Sequence, residues 1–365
     1  MTPQDRADRL WAAVSARDEF EAEEVVLGAV EAGVDPETVL LEVIGAVQRR
    51  VGQEWAANRL SVAGEHAATA INERVVSALV LSLPRVRPTR AKVAVACVDG
   101  EWHALPARLV AEVLRLRGFR VDYLGAQVPT AHLITHLHRT GPDAVALSSS
   151  IATRLPTAHA TITACQAAGA PVIAGGAAFG PEGRYALLLG AQAWAPDARS
   201  AADRLATPLP LPRLGHQAID DLPHLADQEY TMVSRTSALL VKAVYTGLED
   251  RLPEMGGYTE EQRQRTAEDL AHIVDFLTTA LYIGDEGLFT GFLAWTADIL
   301  AARSVPARVL LPALELLAAE LRDFPRATAL LEQSAAVLST DPDPAPATGS
   351  RPAPQAQHLP GATTT

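Results

Sequence analysis

Apolar positions change their period twice along the chain. From residue 1 to 88 they recur every three to four residues, the spacing of one helix face, and Asp35-Pro36 supplies an N-cap followed by a proline suited to the first helical position. Four short antiparallel helices account for this segment, the last opening after Ser61 with Glu65 and His66 in its first turn. From 89 to 205 the pattern becomes short apolar runs, KVAVACV, RVDYLG, DAVALSSS, APVIAGG and AQAWAP, separated by amphipathic stretches of helix length. A strand buried on both faces reads as such a run, so the alternation predicts βαβ units around a parallel sheet. Residues 206–227 open with ATPLPLPRLG, whose prolines stop helix and sheet alike, and read as a linker. Helical spacing returns over 228–340, most clearly from Thr266 to Ile283, where Leu270, Ile273, Val274, Leu277 and Leu281 share one stripe. Residues 341–365 carry too many prolines and too few large apolar side chains to fold, and read as a disordered tail.

The expected fold class is therefore α/β plus all-α: a four-helix cap, a flavodoxin-like doubly wound sheet and a C-terminal helical domain. A chain of 365 residues exceeds one core, which suits three folded parts. Its 31 basic against 43 acidic residues leave a net charge of -12, which argues against a surface tracking nucleic acid; no DNA partner is expected. No apolar run is long enough to span a membrane, and the start, MTPQDRADRLWAAV, lacks a basic patch followed by an apolar stretch, so a cytoplasmic protein with no membrane partner is expected. The two cysteines, Cys97 in a strand and Cys165 in a helix, have no zinc spacing and read as small core residues. Neither a zinc-thiolate site nor a nucleophile with a base occurs, so catalysis by this chain alone is not expected.

Ligands on an open parallel sheet bind at the carboxyl ends of its strands, near the point where strand order reverses, which directs attention to the loop after the first strand. It reads DGEWHALP. His103 leaves the strand as the next helix begins, and Glu101 can accept a hydrogen bond from one ring nitrogen and so raise the basicity of the other. Ser148 and Ser150 follow the third strand, and Gly175-Gly176 follow the fourth. No Gly-x-Gly-x-x-Gly follows the first strand, which disfavours a dinucleotide.

These elements resemble the cobalamin-binding module of methionine synthase, of corrinoid shuttle proteins and of CarH-type light-responsive regulators. The resemblance implies that His103 is the lower ligand to cobalt, with Glu101 and Trp102 beside it, and that Ser148, Ser150, Gly175 and Gly176 admit the nucleotide tail of the cofactor. Two positions depart from the family's Asp-x-His-x-x-Gly: the acid is Glu101, and Pro106 stands in place of the glycine. Trp55, followed at nine residues' remove by Glu65-His66, resembles the upper-face motif of the CarH type, which implies adenosylcobalamin capped by those three side chains. The family's His after the Trp is here Ala56, which leaves His66 or water as the ligand after photolysis.

In the C-terminal region His272, Asp275, Phe276, Thr279 and Tyr282 fall at three- and four-residue spacing on a second face of the same helix. A linear tetrapyrrole needs aromatic walls, an acceptor for its pyrrole N–H groups and cations for its propionates. His272 and Phe276 supply walls and Asp275 an acceptor, with Arg263, Arg265, Arg303 or Arg308 for the acids. The whole arrangement resembles the photocobilins, photoreceptors that combine cobalamin with biliverdin; with no cysteine in the region, the bilin would be held noncovalently. A helical dimerisation domain, and a haem on His272, remain open beside it. The reading that follows is a cobalamin-based light sensor, forming a homo-oligomer, a dimer first of all, and acting on an unidentified signalling partner. The alternative is the corrinoid shuttle of a methyltransferase system.

Overall fold

Thr2 caps the first helix, α1 (Pro3–Ala16), in a reciprocal box with Asp5, and Asp18 caps α2 (Glu19–Glu31). Asp35 accepts from the Thr38 N–H and starts a long helix, α3, with Pro36 at its first position. This helix runs through Pro36–Thr38, Val39–Ile44 and Gly45–Ala56, and its middle part is wound as a π-helix, an insertion that the apolar periodicity did not signal. α4 (Val62–Ser82) completes the predicted four.

The computed structural model describes residues 1–212 and 222–340. The expected tail, 341–365, and part of the expected linker, 213–221, lie outside the described residues. The chain divides into two compact units, Met1–Glu54 with Ala63–Asp221, and Trp55–Val62 with the segment from Leu222 onward.

In the first unit five strands form one parallel sheet: β1 (Lys92–Cys97), β2 (Arg120–Gly125), β3 (Ala144–Ser148), β4 (Val172–Gly175) and β5 (Ala193–Ala195), each coinciding with a predicted run. Their order is β2-β1-β3-β4-β5, the flavodoxin-like order, so the direction of winding reverses between β1 and β3. Helices α5 (Ala104–Leu116), α6 (Thr130–Thr140), α7 (Leu155–Ala167) and α8 (Arg184–Leu188) make the four connections, and α9 (Ala198–Leu205) follows β5. Register places Cys97, Ser148, Gly175 and Ala195 side by side across the carboxyl edge, a row of small residues. Cys97 and Cys165 are buried, which pushes both thiols up to about 12 and leaves them inert.

The second unit is helical: α10 (Glu229–Arg251), α11 (Glu260–Ile283), α12 (Glu286–Ala302), α13 (Leu311–Glu320) and α14 (Pro325–Thr340). The stripe Leu270, Ile273, Val274, Leu277 and Leu281 is buried as predicted. The second face of α11 is not one polar surface, however. Every residue from Leu277 to Ile283 is buried, because this half of the helix is enclosed on all sides. No helix among the described residues is long and apolar enough to cross a membrane.

Candidate functional site in the first unit

At the reversal point the chain leaves β1 through Gly100, whose positive φ of 76° suits glycine, and His103 is the N-cap of α5. Glu101 lies between them with its side chain fully buried. One carboxylate oxygen accepts from the His103 backbone N–H at 2.9 Å and sits 2.6 Å from His103 Nδ1. The other accepts from Ser149 Oγ at 3.1 Å and from the backbone N–H groups of Ser150 at 2.6 Å and Ile151 at 3.0 Å. Burial by itself would raise the pKa of Glu101; the hydrogen bonds and charge of His103, with the Ser150 N–H, outweigh it and bring the group down to about 2.

The consequence for His103 is geometric. Its Nδ1 is engaged by a fixed carboxylate, so Nε2 is the nitrogen left to meet a ligand, on a ring 37% exposed. The longer reach of Glu101 relative to an aspartate serves to bind the loop after β3 as well as the imidazole. The sequence pointed to the Glu101–His103 pair and not to Ser149, whose role only the register of β1 with β3 reveals.

Glu65 and His66 repeat the pairing on α4, with His66 Nδ1 2.8 Å from Glu65 Oε2, though here the imidazole is 58% exposed. Trp102 presents an edge contact to both histidine rings, 6.1 Å from His66 and 5.9 Å from His103. Trp55 belongs to the second unit, where its indole lies 6.2 Å from that of Trp295. The structure thus brings His66, Trp102 and His103 together and groups Trp55 elsewhere.

A cavity of about 320 Å³ opens beside the sheet. Ser148, Gly175 and Gly176 line it at the strand ends, Leu105 and Pro106 line it from α5, and Gln48 and Arg49 from α3. Ser150 is not among its lining residues; its N–H is committed to Glu101. Gly176 has φ +104°, and a Cβ there would stand 2.2 Å from the Ser149 carbonyl oxygen, so only glycine lets the two loops approach.

Residues 91–206 match the B12 binding domain family, and residues 6–80 match a second family of the same description. The chain is a cobalamin-binding domain protein. Over 149 residues it is 26% identical to the trimethylamine corrinoid protein of Methanosarcina barkeri, covering 39% of this chain and 67% of that protein. Over 178 residues it is 32% identical to the HTH-type transcriptional repressor CarH of Myxococcus xanthus, covering 47% of this chain and 57% of CarH. The solved monomethylamine corrinoid protein of Methanosarcina barkeri aligns with 56% of this chain and 98% of its own, at 20% identity and a TM-score of 0.47.

The residues of the cobalamin-binding domain suit such a cofactor on three counts. His103 offers one ring nitrogen while the other is anchored, the carboxyl edge of the sheet is a row of small side chains, and the cavity beside that edge is largely apolar in its walls.

In the second unit the candidate residues separate. Asp275 is exposed, His272 and Phe276 are half-buried, and Thr279 and Tyr282 are enclosed. Thr279 Oγ donates to the Asp275 carbonyl at 2.7 Å, Tyr282 meets Tyr230 edge-on at 4.6 Å, and Phe276 stacks on Phe292 at 3.8 Å. Arg303 is 5% exposed.

Proposed function

We propose that this protein is a light sensor that holds adenosylcobalamin, with His103 as the lower ligand to cobalt and Glu65 and His66 over the upper face. The observation that carries the ligand assignment is the Glu101–His103 contact at 2.6 Å, in which a wholly buried carboxylate fixes the imidazole. When bound, adenosylcobalamin supplies a light-sensitive cobalt–carbon bond. The part of this chain is to orient His103 through Glu101, to admit the nucleotide tail past Ser148, Gly175 and Gly176, and to close the opposite face. The similarity to CarH supports the choice of a sensor.

We further propose that the second unit binds biliverdin noncovalently, with His272, Asp275, Phe276, Thr279, Tyr282 and Arg303 as its candidate residues, and that light alters domain packing or oligomeric state. The test is reconstitution of the full chain with adenosylcobalamin and biliverdin, followed by absorption spectra and size measurement before and after illumination with green and red light. Bleaching with a change in size supports the sensor; spectra and size that ignore light overturn it.

The second reading, a corrinoid shuttle, is favoured by the corrinoid protein relative. It predicts methyl transfer from the methylated cofactor to an acceptor when a methyltransferase is supplied.

A further inference from the structure

Arg303, which follows α12 as its C-cap, keeps a buried charge with few partners. Its Nη1 donates to the carbonyl of Ile299 in its own helix at 3.0 Å, while Nε and Nη2 have no hydrogen-bond partner among the described residues. Asp269 is close enough to favour the charge but does not meet those two nitrogens, and burial pulls the guanidinium below the ordinary arginine value. Of the other candidate arginines, Arg265 pairs with Glu261 through Nη2 and leaves only its Nε without a hydrogen-bond partner among the described residues, and Arg263 Nε donates to the Tyr258 carbonyl at 3.3 Å.

Nε and Nη2 form one side of the guanidinium, the side that grips both oxygens of a carboxylate at once. The first unit shows this side in use. Arg117 places Nε and Nη2 each 2.8 Å from the two oxygens of Glu37. The setting of Arg303 is instead aromatic: the guanidinium carbon is 5.6 Å from the centre of the Trp55 ring, which continues to Trp295, Phe292 and Phe276 at centroid separations of 6.2, 6.5 and 3.8 Å. Buried donors without acceptors are a standing cost to a fold, and in a native protein they point to a missing partner.

We propose that Arg303 anchors the carboxylate of a planar, conjugated ligand in the second unit, gripping it through Nε and Nη2 while Trp55 and Trp295 supply aromatic contact. This rests on the reading of the second unit as chromophore-binding. It narrows the acid-binding residue to one arginine and gives Trp55 a role separate from the corrin cap.

The experiment titrates the full chain, as wild type, Arg303→Lys and Arg303→Met, with biliverdin and with biliverdin dimethyl ester, following absorbance, and records thermal unfolding without ligand. Wild type should bind the free acid ~10-fold or more tightly than the ester, as befits a charge-assisted pair. Arg303→Met should bind acid and ester alike, and Arg303→Lys should keep part of the preference. Without ligand, Arg303→Met should unfold at an equal or higher temperature, since it removes a buried charge that lacks partners. Equal binding of acid and ester by wild type, an undiminished preference in Arg303→Met, or a lowered unfolding temperature of that variant would overturn the assignment. Uptake of neither compound by wild type overturns the bilin reading itself, and the assignment with it.

Discussion

Among the described residues, the buried carboxylate of Glu101 in the first unit takes part in five hydrogen bonds, whereas in the second the guanidinium of Arg303, also buried, makes one, to its own helix. Charges removed from water are costly unless every lone pair or proton is met, so the two sites store different things. Glu101 stores order: it locks the loop after β1 to the loop after β3 and sets the ring of His103 in advance of any ligand. Arg303 stores unused affinity. A preorganised site and an unfinished one therefore coexist in one chain, and each predicts a different response to substitution.

The largest response belongs to Glu101. Glu101→Ala strands the N–H groups of Ser150 and Ile151 and frees His103 Nδ1, and removal of one partner from a buried charge network costs about 3–5 kcal/mol. Urea unfolding should show that loss, and the affinity for cobalamin should fall ~10-fold to ~100-fold, as when the carboxylate behind a ligating histidine is removed. A variant as stable as wild type would erase the contrast with Arg303.

Acid should produce the next effect. The carboxyl of Glu101 sits at about 2 against an ordinary 4.5, a depressed folded-state value, so its contribution is fully present above pH 4.5 and disappears as pH falls toward 2. The separation corresponds to stability on the order of 3 kcal/mol. Unfolding measured between those pH values should steepen for wild type and flatten in Glu101→Gln, while Arg303→Met should leave the curve unchanged because a guanidinium does not titrate there.

Gly176 comes third. An alanine there meets the Ser149 carbonyl oxygen at 2.2 Å in a backbone conformation with φ +104°, strain of about 1–3 kcal/mol. Because Gly176 lines the cavity, Gly176→Ala should also weaken cobalamin binding, where Gly28→Ala, with open space around it, should not.

The same contrast explains what could be read from the sequence. Strands and helices of the first unit announce themselves by period, and the His103 loop by its place after the first buried run. Its chemistry is local, with Glu101 and His103 two residues apart, so sequence adjacency and spatial adjacency coincide. Ser149 was missed because the contact crosses 48 positions through strand register. In the second unit, spacing along α11 identified a face but not its burial, since a neighbouring helix rather than the sequence of α11 encloses Thr279 and Tyr282. The contact of Arg303 with Trp55 joins positions 248 residues apart, and no periodicity carries that information.

The smallest effect bears directly on the inference from Arg303. Glu37 on α3 accepts both Nε and Nη2 of Arg117 and also Nε of Arg199 at 2.9 Å, and Arg117 turns a third nitrogen to Asp203. The Arg117 hydrogen bonds come first among the causes that hold Glu37 below the usual carboxylate range, so its support is present above that range and is lost as acid protonates it. The side chains are partly solvated, so Glu37→Gln should cost only about 1 kcal/mol, and the cost should shrink as salt is raised from low to molar concentration. Arg117→Lys should not preserve the stability, because an ammonium cannot grip both oxygens side-on. If Glu37→Gln were neutral at low salt and Arg117→Lys silent, a filled side-on pair would carry no energy in this molecule, and the unbonded side of Arg303 would lose its significance.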